Sequence, residues 1–382
     1  MTDWAISADS HIVEPKELFD GLERRFGERA PRVRWDDKRG DVVAAPGVQG
    51  DAGVGSTVPV GRLGIAGGNL NDPKVQEQMA QGYAGLPAGV VDPRARAGIQ
   101  DQDGVAAEVL FPSLYFRVFG IQDAEVLNAA FQSYNDWLWS YAQGAPNRLI
   151  PLALIPVNDV DAGVAEVKRA LKMGYKGLCL PSGAPKGRKY SDGSFDPIWA
   201  LAEEAGVPIN FHIFTGADQT PNDLQAAGGI TSYASAATLI QITTSDLICQ
   251  GVAHRFPKLK FVLGEWEAGW IAQWLIRLDH AFYRSRAQAP AEIDMQPTDY
   301  WRRQFYATFE DDRFGVMTRS GIGVENLMWA NDYPHHDSIW PHSREVWADI
   351  MADVPENEKR AMLVDNVAKL YKIAVPAQIA AS

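Results

Sequence analysis

Apolar runs of strand length recur along the chain, each followed by a loop and then a helical stretch. Trp4–Ala8, Val105–Phe111, Leu149–Pro156, Gly177–Leu180, Pro208–Phe214, Lys260–Leu263, Tyr306–Phe309 and Leu327–Ala330 read as strands. Helices are expected over Asp123–Gln143, Val160–Lys172, Pro197–Ala205, Ser232–Gln250, Gly269–Tyr283, Arg313–Ser320, Ser343–Met351 and Glu356–Tyr371. The runs LIPLALIP and KFVL are continuously apolar, as expected of strands buried on both faces. Strands alternating with helices imply a parallel sheet with right-handed crossovers. Eight such units favour closure over an open sheet, so the expected fold class is α/β, a (β/α)8 TIM barrel.

The rhythm breaks between Pro31 and about Pro93. RVRWDDKRGDVVAAPG reads as a β-hairpin with a polar turn at Asp37–Gly40, and the Gly-, Pro- and Asn-rich stretch after it shows neither helical nor strand period. Long irregular stretches inside compact domains are usually lids or disordered. Residues 31–93 are therefore expected to form an insertion, a hairpin plus an irregular lid, after the first strand. At 382 residues the whole chain, 1–382, fits one barrel with that insertion.

Composition narrows the function classes. With 46% hydrophobic and 22% charged residues the chain is globular. Its formal charge of -12, from 36 Lys plus Arg against 48 Asp plus Glu, and the lack of a basic stripe argue against nucleic acid as a partner. No apolar run approaches the roughly 20 residues a membrane span needs. MTDWAISADSH carries no basic region ahead of an apolar stretch, so no signal peptide is expected. Cys179 and Cys249 alone cannot build a disulfide framework, and a reduced, cytoplasmic setting is expected, with both thiols buried and inert. The chain contains neither GxGxxG nor GxxxxGK[ST], which disfavours dinucleotide and P-loop nucleotide binding.

Barrel enzymes carry their reacting groups at the C-terminal ends of the strands. Asp9 and His11 end the first expected strand, His212 the fifth, Glu265 the sixth and Asp332 the eighth. Residues two apart on a strand share a face, so Asp9 and His11 both aim into the barrel mouth. Histidine with carboxylate suits Zn, Fe or Mn. A single Asp-x-His is weak, because a buried, hydrogen-bonded histidine is commonplace. The joint placement of His11, His212 and Asp332 at strand ends is what points to a metal.

The segments SADSHIVEP, PINFHIF, RFPKLKFVLGE, MWANDYPHHDSIWP and VDNVAKLYKI, with VDPRARAGIQDQDGVAAEVLFPS at the second strand, resemble the amidohydrolase-related group that includes aminocarboxymuconate semialdehyde decarboxylase and the resorcylate-type decarboxylases. The resemblance covers nearly the whole chain, least so over 31–93. It implies a divalent metal, Zn first with Fe or Mn also suitable, held by Asp9, His11, His212 and Asp332, and a homodimer. It also implies that Asp332 shuttles the proton. Asp9 departs from the His or Glu usual at its position. Glu265, in GEWEAGW, stands where the decarboxylases carry a catalytic His in a segment like GHxGG. A carboxylate there acts as a base or binds a second metal.

Other residues stand near the expected mouth. His335 and His336 follow Asp332, and either imidazole could serve as acid or base. Arg117 could hold a substrate carboxylate or be a surface arginine. Trp266, Trp270, Trp340, Tyr115 and Phe116 could wall a pocket for a ring, or pack in the core. Glu14 reads equally as a helix-entry cap or a site residue, and Glu310, at the end of the seventh strand, either faces the same mouth or is a carboxylate that stands behind the ligands or starts a helix. His254 reads as structural, and His280 and His342 carry no functional argument. The expected function is a metal-dependent hydrolase or non-oxidative decarboxylase (lyase) acting on a small cyclic or aromatic carboxylic substrate. The alternatives are a non-haem di-iron oxygenase, with Glu265 bridging two metals, and a non-catalytic barrel that binds no metal.

Overall fold

A computed structural model describes residues 3–48, 57–215, 229–376 and 379. Its parallel strands are β1 (Ala5–His11), β5 (Val105–Phe111), β6 and β7 (Leu149–Pro151 and Ala153–Leu154), β8 (Leu178–Pro181), β9 (Ile209–His212), β10 (Phe261–Gly264), β11 (Phe305–Phe309) and β12 (Leu327–Trp329). They pair in chain order, β1 to β5 to β6 and β7 through β8, β9, β10 and β11 to β12. The two short strands β6 and β7 flank Leu152 and act as one barrel strand, β6 bonding to β5 and β7 to β8. Closure comes where the last strand meets the first: Asp332 N donates to Asp9 O at 3.1 Å, and His11 N to Tyr333 O at 2.7 Å. The fold is the (β/α)8 barrel, and its helices pack outside a sheet whose strands are almost wholly buried.

The chemistry of the ends explains the helices. The helix Val160–Met173 starts at Asp159, whose carboxylate accepts from Ala162 N, and stops at Gly174 in the left-handed region. Outside the insertion, three helices of eight residues or more escape the periodicity reading: Lys16–Phe26, and Pro93–Asp103 and Pro297–Gln304, the last two because few of their residues are apolar. The expected helix over Ser232–Gln250 is two, Gly229–Ala234 and Ala237–Cys249. The last helix is interrupted by a wider turn at Ala361–Asp365.

Between β1 and β5 the chain makes an antiparallel sheet from β2 (Arg32–Asp36), β3 (Gly40–Ala44) and β4 (Thr57–Pro59). The hairpin turn falls at Asp37–Arg39, with Gly40 at φ 69°. The following stretch carries more order than its composition suggests, including a helix at Pro73–Ala80 started by the Asp72 carboxylate. Residues 49–56 of the expected lid lie outside the described residues. Trp340 O lies 2.9 Å from where a Cβ on Gly67 would stand, so this segment sits against the loop that follows β12. No helix among the described residues is long and apolar enough to cross a membrane.

Candidate metal centre

At the C-terminal ends of the strands the backbone bends sharply. Phe214 after β9, Glu265 and Glu267 after β10, and Asp332 after β12 all have φ between 52° and 64°. Such left-handed conformations cost non-glycine residues roughly 1–2 kcal/mol each, and they gather at functional sites. Here they turn Glu265 and Asp332 back toward the barrel axis. Gly264 makes room, since a Cβ there would stand 2.8 Å from Asp9 Oδ2 and 3.0 Å from His212 Cδ2.

Five side chains converge. His11 Nε2 lies 3.5 Å from Asp9 Oδ1, 3.6 Å from Glu265 Oε2 and 3.0 Å from Asp332 Oδ1. His212 Nε2 lies 3.4 Å from Asp9 Oδ1 and 3.2 Å from Glu265 Oε2. Both histidines are held from behind, His11 Nδ1 at 2.7 Å from Pro112 O and His212 Nδ1 at 3.0 Å from Ile213 O. A carbonyl only accepts, so Nδ1 carries the proton and Nε2 points a lone pair at the carboxylates. Asp9 is set in the same way: its Oδ2 accepts from Thr308 Oγ1 at 3.3 Å, and its Oδ1 faces the histidines.

Asp9 Oδ1, both imidazole Nε2 atoms and both Asp332 oxygens are buried without a hydrogen-bond partner. Lone pairs facing lone pairs in a buried site leave space that only a cation or an added proton can fill. Two groups of donor atoms each lie within 4.8 Å of one another, Asp9 with His11 and His212, and His11 with Glu265, Asp332 and His335. Imidazole and carboxylate donors of this kind fit a divalent metal ion.

The electrostatics agree. Burial alone would lower His11, but Asp332 and Asp9 raise it above the ordinary histidine value. Burial and the charge of Asp332 push Glu265 well above the carboxylate range. Burial would raise Asp332 too, yet His335 and His11 hold it below the usual range. Three carboxylates crowded on two imidazoles are an arrangement that a bound cation relieves.

His335 joins the cluster. Its ring stacks on His11 at 3.9 Å between centroids, its Nδ1 lies 3.2 Å from Asp332 Oδ1, and its Nε2 meets Ser113 Oγ at 2.8 Å. His336 is exposed, because the turn after Asp332 sends adjacent residues opposite ways. Phe116 stacks on His212 at 4.5 Å and stands edge-on to His11 at 5.6 Å. Arg117 is half-buried on the same short turn. Trp266 points inward to the core, 4% exposed, with Nε1 donating to Phe211 O. Between two residues that bend into the mouth, it is the one the strand direction returns to the packing. Trp340 is half-buried against Tyr333. Glu14 is wholly buried and accepts from Ser113, Leu114 and Tyr115 N, so it caps the turn that carries Phe116 rather than its own helix. His254 bonds Tyr300 Oη and Asp294 away from the centre. Cys179 is fully buried, and burial raises its thiol.

Sequence reasoning passed over three residues. Arg96 is fully buried, pairs with Glu108, and donates to His11 O at 2.6 Å and Tyr333 O at 3.1 Å, tying together the backbones beside two ligands. The signal was Glu108, a lone acid in the apolar run VAAEVLF. Thr308 supports Asp9 and accepts from Glu265 N at 2.8 Å. Glu267 turns with Glu265 toward the mouth.

Residues 87–373 match the amidohydrolase family. The chain is 21% identical over 294 residues to the gamma-resorcylate decarboxylase of Polaromonas, covering 73% of this chain and 86% of that protein. Its fold is similar to an amidohydrolase of Mycobacterium avium subsp. paratuberculosis, with TM-score 0.78, 21% identity, and 96% and 99% of the two chains covered. It is also similar to a 5-carboxyvanillate decarboxylase of Novosphingobium aromaticivorans, a point mutant solved with bound manganese, with TM-score 0.71, 18% identity, and 97% of each chain covered. The chain belongs to the amidohydrolase family, and it is an enzyme of the lyase or hydrolase type.

Proposed function

We propose that this protein is a metal-dependent, non-oxidative decarboxylase of an aromatic carboxylic acid. The observation that carries the reading is the set of buried, unpartnered donor atoms on Asp9, His11, His212 and Asp332, all at strand ends of an amidohydrolase barrel. The relatives named gamma-resorcylate decarboxylase supply the substrate class. Manganese stands ahead of zinc, because Glu265 adds a third carboxylate beside the two imidazoles and a similar structure holds manganese.

When bound, the metal supplies positive charge that fixes substrate oxygens and draws electron density from the ring. Phe116, against both histidines, gives the ring an apolar wall. The reaction breaks the bond from ring to carboxylate, releases CO₂ and places a proton on the ring carbon. His335 and His11 hold Asp332 below the usual carboxylate range, which suits a group that passes a proton on rather than one that stores it. His335, 3.2 Å from Asp332 Oδ1, is the group that brings the proton in. Glu265 favours a second reading, hydrolysis, since a carboxylate beside a metal can take a proton from water.

The test is to load the protein with Mn²⁺ or Zn²⁺ and offer it hydroxybenzoic acids on one side and aryl esters and lactones on the other. Release of CO₂ from the acids is expected. Ester or lactone cleavage without decarboxylation would replace this reading by hydrolysis, and inertness to both would refute each.

We also propose a homodimer. The aromatic helix Ala124–Ala142 offers little apolar surface for an interface, because Tyr134, Leu138 and Tyr141 are buried. Ile276 and Tyr283 support the assembly instead: 71% and 76% exposed, they lie seven residues apart on one face of the helix Ile271–Arg284.

A further inference from the structure

A cavity of about 600 Å³ lies at the ends of β10 and β11, lined by Glu267, Glu310, Asp311 and Asp337 and by no basic side chain among the described residues. Asp312 lines it too, but its oxygens accept from Ala268, Gly269 and Gly315 N and so serve the wall. Glu310 is different. It is 8% exposed, and its carboxylate makes no hydrogen bond or ion pair among the described residues. Its oxygens open into the cavity, where a carboxylate crowded by other acids and set back from bulk water is stabilised by a cation. Glu310 directly follows β11 and Glu267 stands two residues beyond Glu265 after β10, so the cavity opens at the same barrel mouth as the metal centre.

The remaining lining is aromatic. Trp270 is fixed by its Nε1 bonds to Trp266 O and Glu267 O, and the Tyr233 hydroxyl donates to Asp337. Tyr233 and Phe314 leave large apolar surfaces open, 47% and 69% exposed. Ring faces beside a buried carboxylate attract an organic cation. A metal ion fits poorly: among the described residues, the donor groups close enough to chelate all lie at the barrel centre, and none combines Glu267, Glu310 and Asp311.

We propose that this cavity receives an ammonium group of the substrate, with Glu310 as its ion partner and Trp270, Tyr233 and Phe314 as its walls. The enzyme then acts on an aromatic acid that also carries an aliphatic amine, protonated at neutral pH, an inference that rests on the reading of the metal centre given above. The acid-lined cavity repels a second carboxylate, so the substrate's acid end goes to the metal and its amine end to Glu310.

The Mn²⁺-loaded protein is titrated by calorimetry with phenethylamine and with its neutral counterpart, phenethyl alcohol. The ammonium probe is expected to bind about ten-fold tighter, a preference of the size cation–π and ion pairing give together. Glu310→Gln, nearly isosteric, should abolish that preference while metal content stays the same. Phe314→Ala, at an exposed position that folding does not need, should weaken phenethylamine several-fold. Equal affinity of the two probes, an unchanged preference in E310Q, or a second equivalent of Mn²⁺ that E310Q loses would overturn the proposal. Ammonium-selective binding by a protein inert to the aromatic acids would sink the decarboxylase reading alone. Turnover of those acids with no ammonium preference would sink the cavity's assignment alone.

Discussion

Single residues decide how the donors meet. Glu265 touches both histidine Nε2 atoms within 3.6 Å, and it was visible in the sequence because a strand end in a barrel is a place for chemistry. Glu265→Gln keeps the shape and removes the charge. If Glu265 acts as a base, turnover should fall by roughly 10²–10⁴ with metal content unchanged. Halved metal content would instead make it a ligand of a second ion, as the oxygenase alternative requires. Gly264 gave no such sign, since its role is to be absent from the space Asp9 and His212 occupy. Gly264→Ala should weaken metal binding about ten-fold and cost about 1–3 kcal/mol of stability, the usual penalty of overpacking; competition with a chromogenic chelator would measure the first, and unaltered affinity would show that the cradle has slack. His335 and His336 mark the limit of sequence reading at this scale, because only the path of the turn tells which of two adjacent imidazoles enters the site.

Elements carry these residues into register. The barrel strands were legible as apolar runs, and β5 falls where its pattern places it, at Val105–Phe111. The helix Pro93–Asp103 was not, although Asp92, Pro93 and Gly104 are a start and a stop written in the sequence. Its polar face hides Arg96, which in RAR looks like a solvated charge. That arginine locks the helix to β5 through Glu108 and to the loop ends after β1 and β12 through His11 O and Tyr333 O. Arg96→Ala would strand a buried Glu108 and should lower stability by about 3–5 kcal/mol in denaturant titrations. Arg96→Lys should recover only part, because an ammonium cannot span the carboxylate and two carbonyls in one plane. Full recovery by Lys would reduce the role of Arg96 to its charge.

At the scale of the whole molecule, the chain closes on itself at the site. Residues from both ends, Asp9 and His11 near the start and Asp332 and His335 near the finish, form one centre, with His212 and Glu265 completing it from across the barrel. The sequence announced this only in conjunction: each His or Asp alone reads as ordinary, and periodicity had first to place them at strand ends. What surrounds the centre was not legible, since the acidic cavity draws residues from separate loops whose meeting depends on tertiary packing. The dimer belongs to this scale too. Analytical ultracentrifugation at micromolar concentration should show twice the 42.0 kDa chain mass, and Ile276→Glu should shift it to monomer; a wild-type monomer would contradict the proposed assembly. The central claim is that the buried donors exist to hold a divalent metal. Elemental analysis of protein purified without added metal, alongside His212→Ala and Asp332→Ala, tests it most directly. The account predicts about one divalent ion per wild-type chain and almost none in either variant, with both variants still folded by circular dichroism. Metal-free wild-type protein that stays empty when Mn²⁺ or Zn²⁺ is supplied, or variants that keep full occupancy, would contradict it.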